Sequence, residues 1–319
     1  MPTIHIGPGE RWAFVSALAY TAVNVTLRLA APTIDPALGS LLRLLPLTLI
    51  AAVIVLARGG REVRPAAPEF LGWGLIGRLV VGGVTSLVLG NILYFLALTN
   101  GGLGVTVAGV QAGSVLGGLW IGLLLLREQP PRAQLIGAGL IVAGLAGVGV
   151  AQTASIAELW WLGLLFALGA GTTYAVSNTL SRYVQRRRPV LFVTLLVGNL
   201  GGLVPLAAIV GARAAAGERI AVDQASATAV LIAGLANAAA LASLALAVRA
   251  APVATVNSIS SASIVFSFVA SIVLFHEIGS PAMIIGIGLV AAGIVVAQIR
   301  RGTPALDRPP GSSPTSAAT

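Results

Sequence analysis

The stretch LLLREQPPRAQLIGAG at residues 124–139 returns later in the chain as VLFHEIGSPAMIIGIG at residues 273–288. Glu128 in the first copy matches Glu277 in the second, and each acid lies just before a turn that leads into an apolar run. The copies also share glycines at the same spacing: Gly137, Gly139 and Gly144 match Gly286, Gly288 and Gly293. Chance could produce such glycine matches in apolar sequence, whereas the matched acids indicate a repeat.

A second pair of segments supports the repeat. YTAVNVTLR at residues 20–28 corresponds to YAVSNTLSR at residues 174–182, so Tyr, Asn and Arg recur at intervals of four. On a helix that interval keeps the three side chains on one face. The chain therefore consists of two related halves, residues 12–152 and 153–300.

Composition places both halves in a membrane. Hydrophobic residues make up 57% of the chain and charged residues 9%, and the mean hydropathy is +0.96, whereas soluble domains carry about 25% charged residues. A bilayer-spanning helix needs about 20 apolar residues. Breaks in the apolar pattern predict ten such spans: 12–31, 36–57, 78–99, 104–126, 132–152, 159–181, 189–210, 227–249, 252–275 and 281–299.

Each half holds five spans, and this odd number reverses the direction in which the second half enters the membrane. The predicted fold is an all-α integral membrane protein with ten transmembrane helices in two inverted five-helix repeats. Inverted repeats create a pseudo-twofold axis in the membrane plane, and the cavity between them can open to either side in turn. The tails, residues 1–11 and 301–319, lie outside the repeats, and the second is expected to be disordered because it has no apolar face to bury.

Arginine positions predict the orientation. All nineteen basic residues are arginines, and most fall in segments on the side of the two termini, which the positive-inside rule makes cytoplasmic. We interpret Arg186–Arg188 as a topology anchor; a nucleic-acid or anionic-lipid patch is the alternative, and we expect no nucleic-acid partner.

The residue inventory argues against an enzyme. The chain has no Cys and no Lys, and its two histidines are His5 and His276. Thiolate chemistry, a P-loop lysine and a pyridoxal Schiff base are therefore excluded, and a histidine metal cluster is not expected. We predict no cofactor and no metal site. All ten acids fall in tails, loops or span ends, so we expect transport without a carboxylate at mid-membrane.

These features resemble the drug/metabolite transporter superfamily, in particular its ten-helix bacterial EamA-type carriers. The resemblance rests on Glu128 and Glu277, on the Gly-x-Gly helices that follow them, and on Arg43 in the second span. It implies a secondary carrier in the bacterial inner membrane, and the YddG-like amino-acid exporter branch is the most similar one.

Polar residues within apolar spans are the candidate substrate contacts. Uncharged amides and hydroxyls can bind a polar solute without the cost of a buried charge, but they also hold membrane helices together, and both interpretations stay open. The candidates are Tyr20, Asn24, Asn91, Tyr94, Gln111, Ser114, Tyr174, Asn178, Asn237, Asn257, Ser260 and Ser261.

A further set is expected to gate or shape the pathway. Glu128 and Glu277 either gate it or cap the helices that follow them. Arg43 lies roughly 10 Å along its helix, where it must reach water, carbonyl groups or a substrate carboxylate. Pro46 and Pro205 are expected to kink their helices and serve as hinges.

The predicted function is export of small neutral or zwitterionic metabolites, foremost amino acids, by alternating access. The alternatives are efflux of drugs or nucleotide precursors, a membrane-embedded enzyme, and a structural subunit. The expected partners are a small-molecule substrate and membrane lipid, and we expect a monomer rather than a dimer.

Overall fold

The computed structural model describes residues 7–121, 123, 130–152, 160–251, 253–277 and 280–298. The regular elements in these ranges are all helical. They are α1 (Pro8–Ala30), α2 (Pro36–Ala57), a 3-10 turn (Arg61–Val63), α3 (Trp73–Gly83), a π-helical stretch (Val84–Gly90), α4 (Asn91–Trp120), α5 (Arg132–Gln152), α6 (Trp160–Arg187), α7 (Leu191–Ala215), α8 (Gln224–Ala250), α9 (Val253–Ser260), α10 (Ala262–Phe275) and α11 (Pro281–Gln298).

Five continuous helical segments are long and apolar enough to cross a membrane. They are Pro8–Ala30, Pro36–Ala57, Trp73–Trp120, Leu191–Ala215 and Gln224–Ala247. Large apolar side chains point outward from them: Leu56 is 70% exposed and Val53 65% exposed. Contiguous exposed apolar surface is unfavourable in water, so lipid is the solvent that suits these faces.

Helix ends on one side of the molecule are fixed by acidic caps. Asp35 accepts hydrogen bonds from the backbone N–H groups of Ala37 and Leu38 at 3.0 and 3.1 Å, which caps α2. Its other carboxylate oxygen binds Arg213 at the end of α7, at 2.9 Å. Asp223 caps α8 through the N–H of Ser226 at 2.8 Å. These contacts tie the two loops together.

The predicted boundaries need two refinements. The third expected span begins earlier, at Trp73, and runs through the π-helical stretch into α4. α4 breaks at Gly102, whose backbone angles (φ 73°, ψ −179°) are not helical and whose positive φ favours glycine. The ninth expected span is divided near Ser261 into α9 and α10. Pro46 and Pro205 lie inside α2 and α7, which continue past them.

Glycines bring α5 and α11 into backbone contact. A Cβ atom at Gly137 would lie 2.5 Å from the carbonyl oxygen of Gly293, and one at Gly144 would lie 2.5 Å from that of Gly286. The order of the contacts reverses along the two helices, so the helices run antiparallel. Because any larger residue would collide with backbone there, these glycines set the distance between the two helices.

The other main contacts also join helices from the two halves of the chain. α1 packs on α8, α2 on α7, and α4 on α6. The largest hydrophobic cluster lies between them and includes fully buried Leu27, Phe95 and Ile264. The polar side chains of the candidate site lie among these helices.

Candidate functional site

A hydrogen-bonded polar group links α1, α4 and α10. The Tyr94 hydroxyl donates to the Asn24 Oδ1 atom at 2.8 Å, and the Asn24 Nδ2 atom donates to the Ser267 hydroxyl at 3.0 Å. Tyr94 is 5% exposed and Ser267 is fully buried. Asn24 therefore uses both ends of its amide to join helices from the two halves of the chain.

A second group of polar side chains lies about one helical turn away along α4, and it includes a charged residue, Arg43. The Tyr174 hydroxyl donates to the Asn91 Oδ1 atom at 2.8 Å, and the Arg43 Nη1 atom approaches the same oxygen at 3.5 Å. The Arg43 guanidinium also lies 5.7 Å from the centre of the Tyr94 ring, within the range of a cation–π contact. Arg43 is close enough to Tyr20 to interact with it electrostatically. We call these seven residues the central cluster: Tyr20, Asn24, Arg43, Asn91, Tyr94, Tyr174 and Ser267.

The central cluster contains one hydrogen-bond donor without a partner and one charge without an ion pair, among the described residues. Asn91 is 2% exposed, and its Nδ2 atom has no partner among the described residues. Within the described ranges Arg43 forms no ion pair, in contrast to Arg28, Arg61 and Arg213. An unpaired buried donor costs about 1–3 kcal/mol, and a charge inside a membrane costs several kcal/mol more.

An ion pair closes one end of the helices. The Arg28 Nε atom lies 3.2 Å from the Glu277 Oε1 atom, and Arg28 Nη1 donates to the Leu98 carbonyl oxygen at 2.9 Å. Glu277 also accepts the backbone N–H groups of Leu103 and Gly104, at 2.7 and 3.1 Å. The break in α4 frees these backbone groups. The pair thus caps the broken helix from both sides, and we call it the Arg28–Glu277 latch.

A small polar cleft lies between α4 and α6. Its volume is about 140 Å³, and Ser114, Asn178 and Arg182 line it together with Gly118, Ala175 and Thr179. Asn178 and Arg182 are exposed. They match Asn24 and Arg28 in the repeat, yet they border open space, whereas the corresponding α1 residues are engaged in the central cluster and in the latch.

The structure brings together five of the twelve predicted substrate contacts. Tyr20, Asn24, Asn91, Tyr94 and Tyr174 meet in the central cluster, whereas Ser114 and Asn178 line the separate cleft. Among the described residues, no hydrogen bond joins the other predicted side chains Gln111, Asn237 and Ser260 to the cluster. The Asn257 side chain and the whole of Glu128 lie outside the described residues.

Two residues of the site were not among the predicted contacts. One is Ser267, for which the sequence offers a signal: Ser263, Ser267 and Ser271 recur every four residues on α10 and so mark one face. The other is Arg28, whose sequence signal is its match to Arg182 in the repeat. Its pairing with Glu277 follows from the fold, because the two residues lie far apart in sequence.

The structure thus places buried amides and hydroxyls between apolar helices, with the Arg28–Glu277 latch at one end. The chain matches the EamA-like transporter family twice, over residues 7–150 and 161–298. It belongs to that family, which confirms the expected superfamily, and it is a multi-pass membrane transporter of the drug/metabolite type.

A solved structure titled only "Crystal structure of protein" shares the fold. Its TM-score is 0.57 at 18% sequence identity, and the match covers 92% of this chain and 98% of that one. No curated protein matches the chain.

Proposed function

We propose that the protein is a secondary carrier that moves small polar metabolites, foremost amino acids, across the bacterial inner membrane by alternating access. The observation that carries this proposal is the central cluster. Hydroxyls and amides from both halves of the chain, including Asn24, Tyr94 and Tyr174, converge between helices that are otherwise apolar. Such groups suit a small solute with hydrogen-bonding atoms.

The proposed scaffold has ten membrane-spanning helices in two inverted repeats. The glycine contacts between α5 and α11 support it. In the repeat, Gly137 corresponds to Gly286 and Gly144 corresponds to Gly293. In the structure, Gly137 contacts Gly293 and Gly144 contacts Gly286. A twofold rotation exchanges such contacts. Because the corresponding helices run antiparallel, the rotation axis is perpendicular to them and hence in the membrane plane.

The pairing of the other helices agrees with that symmetry. The repeat relates α1 to α6, and it relates α8 to the span formed by α3, the π-helical stretch and the first part of α4. The contact of α1 with α8 then corresponds to the contacts that α6 makes with α3, with the π-helical stretch and with the first part of α4. The α2–α7 contact and the α5–α11 contact correspond to themselves.

The Arg28–Glu277 latch supplies the proposed outer gate. With both termini cytoplasmic, the latch lies at the outer end of the helices, and the cleft with Asn178 lies towards the inner end. In this conformation the proposed pathway is then closed towards the outside. Opening would require Glu277 to release Arg28 and the N–H groups of Leu103 and Gly104 together, so the gate has two discrete states.

Coupling to protons through a central acid is not part of this proposal. Two acids at the ends of spans, Asp35 and Glu277, already form ion pairs in the described part of the chain. Asp35 binds Arg213, and Glu277 binds Arg28. We therefore propose that the solute gradient drives transport.

Uptake into proteoliposomes tests the carrier proposal. Purified protein is reconstituted and offered a panel of labelled amino acids, with sugars and nucleosides as other classes. We expect saturable uptake of at least one amino acid, competed by its unlabelled form and absent from protein-free vesicles. Lack of saturable uptake for the whole panel would refute the carrier proposal.

Reporter fusions test the inversion separately. Fusions after residues 60 and 185 should report the cytoplasm, because residue 60 lies in the loop after α2 and residue 185 lies near the end of α6, both of which the topology places inside. A fusion after residue 217 should report the outside. Any other pattern would contradict the inverted repeats.

A further inference from the structure

We infer that the transported solute carries a carboxylate, which binds between the Arg43 guanidinium and the Asn91 side-chain amide. This inference rests on the proposed carrier function and names the chemical class of its substrate. It also assigns Arg43 a role as the residue that selects acids over their neutral analogues.

The first argument is the unbalanced charge of Arg43. The three ion-paired arginines of the described chain, Arg28, Arg61 and Arg213, each bind an acid directly. Within the described ranges, the groups around Arg43 are neutral: the Asn91 amide oxygen, the Tyr94 ring and the nearby tyrosine hydroxyls. A charge inside a membrane protein persists chiefly where function needs it. An anionic occupant would balance it.

The second, independent argument is the unused donor of Asn91. This side chain is 98% buried, and its Nδ2 atom has no acceptor among the described residues. Its Oδ1 atom already accepts from Tyr174 and faces Arg43. The amide is therefore held in place by its oxygen and presents two N–H hydrogens with nothing to bind.

Among the described residues, Arg43 has no acidic partner and the Asn91 Nδ2 atom has no acceptor. The tyrosine hydroxyls near Arg43 can accept a hydrogen bond from it, but they are neutral and leave its charge unbalanced. A carboxylate has two oxygens with free lone pairs and accepts bidentate bonds from a guanidinium fork. It can bind Arg43 with one edge and the Asn91 Nδ2 group with the other.

The inference sets a limit on the rest of the solute. No acid of the described chain faces the central cluster, so an ammonium group on the solute would meet only neutral acceptors and aromatic rings. We therefore infer that the carboxylate is required and that the amino group is dispensable. Amino acids and the matching 2-hydroxy acids both fit, whereas amino-acid amides do not.

The test measures binding to the purified full-length protein by its thermal unfolding temperature. The probes are alanine, leucine and phenylalanine, each compared with its amide and with its 2-hydroxy acid at the same millimolar concentration. We expect at least one acid to raise the unfolding temperature, its hydroxy acid to do the same, and its amide to have no effect. Equal shifts by acid and amide, or no shift by any acid, would overturn the inference.

Variants locate the effect at Arg43. R43Q removes the charge, and N91D places a carboxylate beside Arg43 within the protein itself. Both should weaken acid binding by about tenfold or more. R78Q serves as the matched control, because Arg78 is another arginine within a predicted span but contacts the Tyr183 ring outside the central cluster; its acid binding should stay unchanged. Acid binding that survives in R43Q would overturn the inference.

Uptake measured on the same preparations separates the two proposals. If acids bind but no solute crosses the vesicle membrane, the carrier proposal fails and the carboxylate site stands. If acids and amides cross equally well and bind equally well, the carboxylate site fails and the carrier proposal stands.

Discussion

The carboxylate of Glu277 accepts the backbone N–H of Leu103 at 2.7 Å, directly after the break in α4. The same carboxylate holds Arg28, whose side chain binds the Leu98 carbonyl before the break. One ion pair therefore satisfies the backbone on both sides of Gly102, and it joins α1, α4 and the end of α10. This arrangement makes Glu277 a direct test of the gate.

E277Q should weaken the latch and destabilise the protein. Loss of the charge-assisted hydrogen bonds costs about 1–3 kcal/mol, and the Arg28 charge is left without a partner. We expect a lower unfolding temperature in detergent. The matched control is E69Q, because Glu69 pairs with Arg61 on the surface with both side chains exposed, where a pair contributes about 0–1 kcal/mol. Equal effects of the two substitutions would contradict the capping role.

Opening of the same gate can be followed by cysteine labelling, since the chain has no native cysteine. Thr106 is fully buried on α4 just past the break, so T106C should react slowly with a maleimide. Combined with E277Q, the labelling rate should rise several-fold because the closed state is less favoured. An unchanged rate would show that Glu277 stabilises the fold without controlling access.

The two glycines of each Gly-x-Gly motif should differ in their response to alanine. A Cβ atom at Gly137 or Gly286 would lie within 2.7 Å of backbone on the facing helix, whereas Gly139 and Gly288 face open space. Overpacking of this kind costs about 1–3 kcal/mol. G137A and G286A should therefore lower the unfolding temperature, and G139A and G288A should not. Similar losses for all four variants would contradict the packing of α5 against α11.

Asn24 and its repeat counterpart Asn178 should matter more for transport than for folding. N24A leaves the Tyr94 hydroxyl and Ser267 without their shared partner, which should lower the free energy of unfolding by about 1 kcal/mol. N178A removes an exposed side chain from the cleft. We expect both to reduce the uptake rate by about tenfold and only N24A to lower the unfolding temperature. N100A is the control, because Asn100 binds the Leu96 carbonyl away from the cluster. If uptake and expression fell in parallel, the pocket assignment would be wrong.

Acid should weaken the capped loops on the proposed outer side. The N–H of Ser226, together with the Ser226 and Thr33 hydroxyls, holds the pKa of Asp223 below its usual value, and hydrogen bonds from Arg213 lower the pKa of Glu218. A carboxyl whose pKa is lowered on folding stabilises the protein above its unfolded pKa of about 4. That contribution is lost as pH falls through the folded pKa.

The unfolding temperature as a function of pH checks this effect. The difference between the wild type and D223N should be constant near neutral pH and should shrink as the pH drops below about 4. E62Q, which alters a carboxyl in the 61–63 turn, should show no comparable difference. A wild-type advantage that persists at low pH would contradict the role of the ionised cap.

The sequence predicted which helix faces carry the polar side chains, but it predicted less well how close each side chain lies to the centre of the helix bundle. The four-residue spacing of Tyr20, Asn24 and Arg28 predicted one polar face on α1, and the structure engages that face in the cluster and the latch. The same spacing on α6 grouped Asn178 with Tyr174, but only Tyr174 reaches the cluster. Periodicity fixes direction around a helix, whereas tilt and packing fix how far each residue lies from the centre.

Other features left little trace in the sequence. No proline or charge marks the π-helical stretch Val84–Gly90, which packs against α6 and α7. The open donor of Asn91 could not be predicted either, because it depends on which atoms of Tyr174 and Arg43 reach the amide. Such pairings are properties of the assembled helices.

Counterflow in proteoliposomes tests alternating access most directly. Vesicles loaded with an unlabelled amino acid that the protein transports are diluted into a trace of the same labelled amino acid, without any ion gradient. A carrier whose central cluster faces each side in turn should accumulate label transiently above equilibrium, and N24A should lose the overshoot. A monotonic approach to equilibrium in wild-type vesicles, or an overshoot unchanged in N24A, would contradict a solute path through the central cluster.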